Sequence, residues 1–106
     1  MATRYWNGTA SGALNDASNW SPSGVPAASD TLIFAANGTA DVVGADHTSF
    51  GNLTEIRITR DFTRSFGSAS DLVQVECKNV TLDSGGAVYL DVESDTRVSV
   101  IGSGVS

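Results

Sequence analysis

One cysteine and one histidine are the residues of this sequence best suited to nucleophilic or acid–base chemistry. Cys77 alternates with two valines in "DLVQVECKNV", which predicts a buried thiol that packs as a small apolar side chain. His47 stands among turn residues in "GADHTSFG", and Asp41 and Asp46 are weak co-ligands for a metal at that spacing. The favoured interpretation of His47 is therefore a loop residue at the surface.

Three carboxylates lie close together late in the sequence, at Asp91, Glu93 and Asp95. Paired carboxylates are the machinery of glycoside hydrolysis, but Asp91 and Glu93 have the outward parity of a strand whose apolar residues point inward. They are therefore interpreted as a solvated face. The glycine-rich segments "DSGG" and "GSGVS" lack the lysine and the helix that phosphate binding needs. We predict no enzymatic activity, no catalytic residues, no metal site and no cofactor.

The composition indicates an all-β protein with an acidic surface. The chain has 106 residues and a formal net charge of -6, with a single cysteine. That length fits one domain, and one cysteine excludes an intrachain disulfide. One lysine and five arginines are scattered along the chain, which argues against nucleic acid and anionic membranes as partners. Without an apolar run for export or membrane insertion, we expect synthesis in a cytoplasm.

Strand-like runs follow one another at fairly even spacing, separated by turn residues. They cover residues 31–35, 40–45, 53–62, 71–83, 87–93 and 96–102. No segment shows a convincing helical period, so little or no helix is expected. Within 71–83 the inward parity includes Cys77, whereas Val80 and Leu82 have the opposite parity. This change predicts a bulge or corner near Lys78–Asn79.

The predicted fold class is all-β, with short strands in a compact antiparallel sandwich or barrel, or in a short β-solenoid. In a solenoid each strand pairs with the strand one turn later, about 20–25 residues on. In a meander, consecutive strands pair as hairpins, and "DSGG" is short enough for that, which favours antiparallel pairing. Residues 1–30 are predicted to be a Trp-anchored, loop-rich segment that packs on a β domain of residues 31–106 within a single domain. From residue 96 onward, Val98 and Val100 are predicted to point inward.

The stretch "RYWNGTASGALNDASNWSPSGVPAASDTLIF" contains both tryptophans and both prolines. It resembles a recurring N-terminal module of phage virion proteins and bacterial β-solenoid adhesins. The sequence departs from that module at Leu14, where the pattern usually has another tryptophan. The matching positions are Trp6, Gly8, Gly12, Asp16, Asn19, Trp20, Ser21, Gly24, Pro26, Asp30 and Phe34.

The resemblance implies a non-enzymatic structural protein, because the module introduces β-structure and carries no known catalytic residues. The favoured expectation is a capsid decoration, or cement, protein that binds the major capsid protein as a homotrimer. Its location would then be the capsid surface of the virion, after synthesis in the host cytoplasm. The alternative is a fibre, tailspike or adhesin-type solenoid module that binds host surface glycan, with Tyr89 as an aromatic residue for stacking on sugars.

The two tryptophans are the largest side chains of the turn-rich segment. They are expected to lie across an open end of the β-structure, where they would cover an unpaired strand edge. Completing an ordinary core and forming a ligand platform are the alternatives. Arg4, Trp6 and Trp20 are predicted to contact the partner.

Overall fold

The computed structural model describes residues 2–83, 88–92 and 95–100. Regular structure in this part of the chain consists of eight short strands and two single 3₁₀ turns, which confirms the all-β prediction. The strands are β1 (Thr3–Trp6), β2 (Trp20–Ser21), β3 (Thr31–Phe34), β4 (Asn52–Ile58), β5 (Val73–Gln74), β6 (Glu76–Leu82), β7 (Leu90–Asp91) and β8 (Arg97–Val100). The 3₁₀ turns span Ala17–Asn19 and Thr48–Phe50.

The main sheet is a parallel ladder in the order β2-β1-β3-β4-β6-β8, in which only the β1–β2 pair is antiparallel. Leu32 lies opposite Ile56, and Ile56 lies opposite Val80, so successive rungs are 24 residues apart. The last described rung is shorter, because Val80 lies opposite Val98. A chain that pairs with itself one turn later is a β-solenoid, the second of the two predicted arrangements.

The preference for antiparallel pairing was wrong for this sheet. β6 lies between β4 and β8 and is parallel to both. The physical reason is that apolar residues recur at one coil length, so each coil buries the inward face of the preceding one. Residues 84–87, on which the hairpin expectation rested, lie outside the described residues.

A second side of the solenoid is formed by shorter parallel pairs. β5 pairs with β7, and an isolated bridge joins Asp46 to Gln74. A further row of bridges links Val42 to Phe66 and Phe66 to Val88. These pairs also join each coil to the next, but their spacing is less regular than that of the main sheet, since Asp46 and Gln74 are 28 residues apart and Val73 and Leu90 are 17 apart. The run predicted at 40–45 is thus reduced to one bridge residue, Val42.

The longer strands change their inward parity at the same point of successive coils. In β6 both Cys77 and Val80 are buried, which confirms the change predicted near Lys78–Asn79. In β4 both Leu53 and Ile56 are buried, and their register partners are Cys77 and Val80. The predicted strand 71–83 is interrupted earlier as well, since β5 ends at Gln74 and β6 begins at Glu76.

The inward row of the main sheet becomes exposed at its last described rung. Val98 was predicted to point inward, yet 49% of its surface is accessible, although its register partner Val80 is buried. Among the described residues no further rung covers Val98, which explains the difference. The side chain of Val100 and the predicted strand residues 87, 93 and 101–102 lie outside the described residues.

Candidate binding surfaces

The N-terminal segment closes one end of the solenoid with aromatic side chains. Trp6 and Trp20 are 0% and 2% exposed and meet edge to face, with ring centroids 5.3 Å apart. Both rings also pack on Phe34 of β3, at 5.8 and 5.6 Å. Their ring nitrogens donate to the carbonyls of Ala40 and Leu14, at 3.3 and 2.8 Å. Both tryptophans therefore belong to the hydrophobic core, which was the alternative interpretation, and Trp20 lies in β2 at the edge of the main sheet.

Asn19 organises the loop that links β1 to β2. Its Oδ1 accepts from the backbone amides of Ala10 and Ser11, at 2.9 and 3.0 Å. Its Nδ2 donates to the Ser11 hydroxyl and to the carbonyl of Ala13. The Asn19 side chain is fully buried, and its hydrogen bonds hold the loop in place where no strand pairing does so.

A buried ion pair fixes the other half of the segment. The Arg4 Nε donates to the Asp30 Oδ2 at 3.0 Å, and the backbone amides of Ala2 and Ala27 donate to the same carboxylate. Burial alone would raise the pKa of Asp30, but these hydrogen bonds outweigh it and hold the pKa below its ordinary value of 3.8. The Arg4 guanidinium also donates to the carbonyls of Pro22 and Ser23.

The residues predicted to contact a partner, Arg4, Trp6 and Trp20, offer little accessible surface. The two indoles offer almost no surface in this conformation, and the Arg4 side chain is 16% exposed and paired inside the chain. A partner would reach residues 2–30, here called the cap, through other side chains, among which Tyr5 is 44% exposed on the outer face of the main sheet. The prediction that Arg4, Trp6 and Trp20 contact a partner stays a prediction, and the structure gives them internal contacts instead.

A protruding loop interrupts the second side at the middle coil. Between Phe66 and Val73 the chain makes an excursion that Ser68 and Asp71 close, each donating its amide to the other's carbonyl at 3.0 and 3.1 Å. Residues 68–72 are exposed. The preceding coil has no such excursion between its bridges at Val42 and Asp46. In solenoids, insertions of this kind often form the binding face.

A groove of about 310 Å³ runs beside this excursion. It is lined by Ala45, Asp46, Ala69, Ser70, Asp71, Leu72 and Gln74. Gly44 allows the excursion to approach the preceding coil closely, since the Asp71 carbonyl lies where a side chain of residue 44 would be. Asp46 is tied to Thr48, whose amide and hydroxyl hydrogen bonds lower the pKa of Asp46 below its ordinary value.

The rest of the second side combines exposed apolar residues with negative charge. Val43, Leu72 and Tyr89 are 54%, 40% and 38% exposed. Its charged residues are all acidic within the described segments 41–50, 66–75 and 88–92, namely Asp41, Asp46, Asp71 and Asp91. Asp91 is exposed in β7, as the outward parity predicted, whereas Glu93 lies outside the described residues.

The two residues first considered for chemistry are both buried. Burial raises the pKa of the Cys77 thiol to about 11, so it is a poor nucleophile near neutral pH. His47 was expected at the surface, but it is 5% exposed and its ring stacks on Phe50 at 4.9 Å. Burial lowers the pKa of His47, partly offset by Asp46, and its Nε2 has no hydrogen-bond partner among the described residues.

Within residues 2–83, 88–92 and 95–100, no three His, Cys, Asp or Glu side chains converge as metal ligands would. The described part of the chain also contains no helix with the length and apolarity needed to cross a bilayer.

No family model, curated protein or solved structure matches this chain. The similarity to the phage and adhesin module therefore rests on the residues of the cap alone. Many of those residues have a structural role there, including the two tryptophans, Asn19 and Asp30.

Sequence reasoning missed the buried ion pair and the excursion. The Arg4–Asp30 pair gave no signal, because charges 26 residues apart in sequence suggest no contact. The excursion does have a faint signal: the apolar positions Phe66 and Val73 are separated by "GSASDL", a run of small and polar residues.

Proposed function

We propose that this chain is a non-enzymatic structural protein of a phage virion, in the form of a capsid decoration protein. It binds the major capsid protein at the outer surface of the shell and stabilises contacts between neighbouring capsomers. The proposal places the protein on the capsid, after synthesis in the host cytoplasm, with self-association and without nucleic acid, membrane or cofactor.

The observation that carries this proposal is the cap. The residues that resemble the virion module are used to close a β-solenoid, through the Trp6–Trp20–Phe34 cluster and the Arg4–Asp30 pair. Such residues supply rigidity rather than chemistry. A capped end also keeps strand edges from recruiting other chains there, which leaves the sides of the solenoid for partners.

The parallel solenoid also favours a second candidate, a fibre, tailspike or adhesin-type module that binds host surface glycan. Its specific support is the groove beside the excursion. Carboxylate, hydroxyl and amide groups of Asp46, Ser70 and Gln74 line it, and Leu72 adds an apolar wall. Tyr89 is exposed on the adjacent coil, where its carbonyl accepts from the Val73 amide.

Co-sedimentation separates the two candidates. Purified protein is mixed with capsids that lack it and, separately, with polysaccharide from the host surface. Pelleting with capsids, saturating at a fixed ratio to the major capsid protein, supports the decoration protein. Binding to polysaccharide alone, weakened by Tyr89→Ser, supports the glycan-binding module instead.

A further inference from the structure

The acidic second side has a counterpart on the same molecule. The outer face of the main sheet presents three basic side chains from successive strands, Arg57, Lys78 and Arg97. The Arg57 side chain is 50% exposed, and Lys78 and Arg97 are also exposed. Two acidic residues, Glu55 and Glu76, lie on the same strands. Glu55 accepts hydrogen bonds from Arg57 and from the Thr81 hydroxyl. This face is thus slightly positive in a protein whose net charge is -6.

Both sides also offer apolar surface next to their charges. On the main sheet, Tyr5 is 44% exposed and lies opposite the half-buried Ile33 in the parallel register. On the second side, Leu72 and Tyr89 lie on adjacent coils, next to the register pair Val73–Leu90. An apolar centre with a charged rim is the arrangement found in protein interfaces.

From this pairing we infer that the second side of one copy binds the outer face of the main sheet of another. The occupant of the acidic side is therefore a second copy of this chain, and the contact deepens the proposed structural role on which it rests. The contact joins two different surfaces, so it generates a closed ring if the rotation between copies closes, and a filament if it does not.

The size of the sides is sufficient for such a contact. The principal extents of the molecule are 33 × 30 × 26 Å, so one side offers an area on the order of 800 Å². That area is about what each partner buries in an interface of standard size. The complementary charges select the partner and its orientation, and their contribution weakens as salt screens them.

Reciprocal charge reversal tests the contact. Asp91→Arg reverses a charge on the acidic side, and Arg97→Glu reverses one on the main sheet; both side chains are exposed. Each variant is expected to weaken self-association by at least about tenfold, or ~1.4 kcal/mol, and the double variant is expected to restore it. Light scattering across a dilution series gives the mass, which for one copy is 10.9 kDa.

Matched controls separate a specific contact from net charge. Asp61→Arg and Arg64→Glu make the same changes of charge at exposed positions of the turn outside both sides, and are expected to associate like the original protein. Thermal unfolding of each variant establishes that it is folded. A mass that rises above one copy, falls with salt and responds to the charge swap supports the inference.

Three results would overturn it. One is a protein that stays monomeric throughout the dilution series; capsid co-sedimentation then tests the virion role separately. The second is an equal loss of association in the two control variants. The third is a monomer whose capsid or polysaccharide binding is lost in Asp91→Arg, which would assign the acidic side to that partner instead.

Discussion

Asp30 is a small side chain with a large structural role. It receives hydrogen bonds from Arg4, from the Ala2 amide and from the Ala27 amide, and its own side chain is 3% exposed. A carboxylate buried in this way stabilises the fold only while it is ionised and its donors remain in place. The start of β1 and the turn before β3 therefore depend on one ionised group.

Replacement of this carboxylate is the first prediction. Asp30→Asn should lower the free energy of unfolding by roughly 3 kcal/mol at neutral pH, because Arg4 loses its charged partner inside the protein. Since the folded pKa lies below 3.8, the stabilisation is present above pH 3.8 and is lost as the pH falls further. The Asp30→Asn variant should lack this pH-dependent contribution to the free energy of unfolding. Denaturant titrations at several pH values measure it, with Asp61→Asn as the exposed control; equal effects of the two substitutions would contradict the prediction.

His47 differs from Asp30 because its side chain is buried in the neutral form rather than as an ion. Its backbone amide donates to the Gln74 carbonyl at 2.7 Å, which ties the corner of one coil to the next. Its ring stacks on Phe50, and Asp46 is the one charged group among the described residues that raises its pKa. A proton on the ring would require charge in an apolar site.

The second prediction concerns the pH dependence that this burial causes. The folded pKa is below 6.5, so the unfolded chain binds the proton first and stability falls as the pH drops below 6.5. His47→Phe keeps a stacked ring and should abolish this fall, while the loss below pH 3.8 remains because it belongs to Asp30 and Asp46, whose folded pKa values both lie below 3.8. Thermal melts of the original protein and of the variant between neutral and mildly acidic pH measure this dependence. A His47→Phe profile that still declines just below pH 6.5 would rule out His47 as the cause.

At the scale of elements, the sequence predicted what depends on local pattern. The run at 31–35, which the structure shortens to Thr31–Phe34, the outward position of Asp91 and the change of parity near Lys78 could be predicted, because they follow from alternation within a few residues. Pairing partners were not, since a rung 24 residues away leaves no local trace when each run is short. For the same reason, the sequence did not predict the Arg4–Asp30 ion pair or the contact between Gly44 and the Asp71 carbonyl.

Gly44 supplies the third prediction. A Cβ there would overlap the Asp71 carbonyl oxygen and lie 2.5 Å from the carbonyl carbon, so the excursion must move away if residue 44 is larger. Gly44→Ala should therefore destabilise the protein by about 1–3 kcal/mol, as overpacking does. It should also make residues 68–72 more susceptible to limited proteolysis. Ala69→Ser, at the exposed tip of the excursion, is the control, and equal stability of the two variants would contradict the close approach.

At the scale of the whole molecule, the cap and the solenoid form one structural unit. β1 pairs with β3 in the same sheet as the coils, so the segment 1–30 supplies strands as well as loops. Phe34 belongs to both parts, since it contacts the cap rings and also Phe62 and Phe66 in the core. Each aromatic pair contributes about 0.5–1.5 kcal/mol beyond the area it buries, so separating the cap from the coils would be costly.

The last prediction is that cap and solenoid unfold together. Both tryptophans of the sequence lie in the cap, so intrinsic fluorescence reports on the cap, whereas far-ultraviolet circular dichroism reports on the whole sheet. Denaturant transitions followed by the two signals should coincide, because a two-state domain unfolds as one unit. Ile56→Ala removes core volume from β4, outside the cap, and should shift both midpoints equally while costing about 2–5 kcal/mol. A fluorescence transition that precedes the loss of sheet, or that Ile56→Ala leaves in place, would mean that the cap is an independent lid on the solenoid.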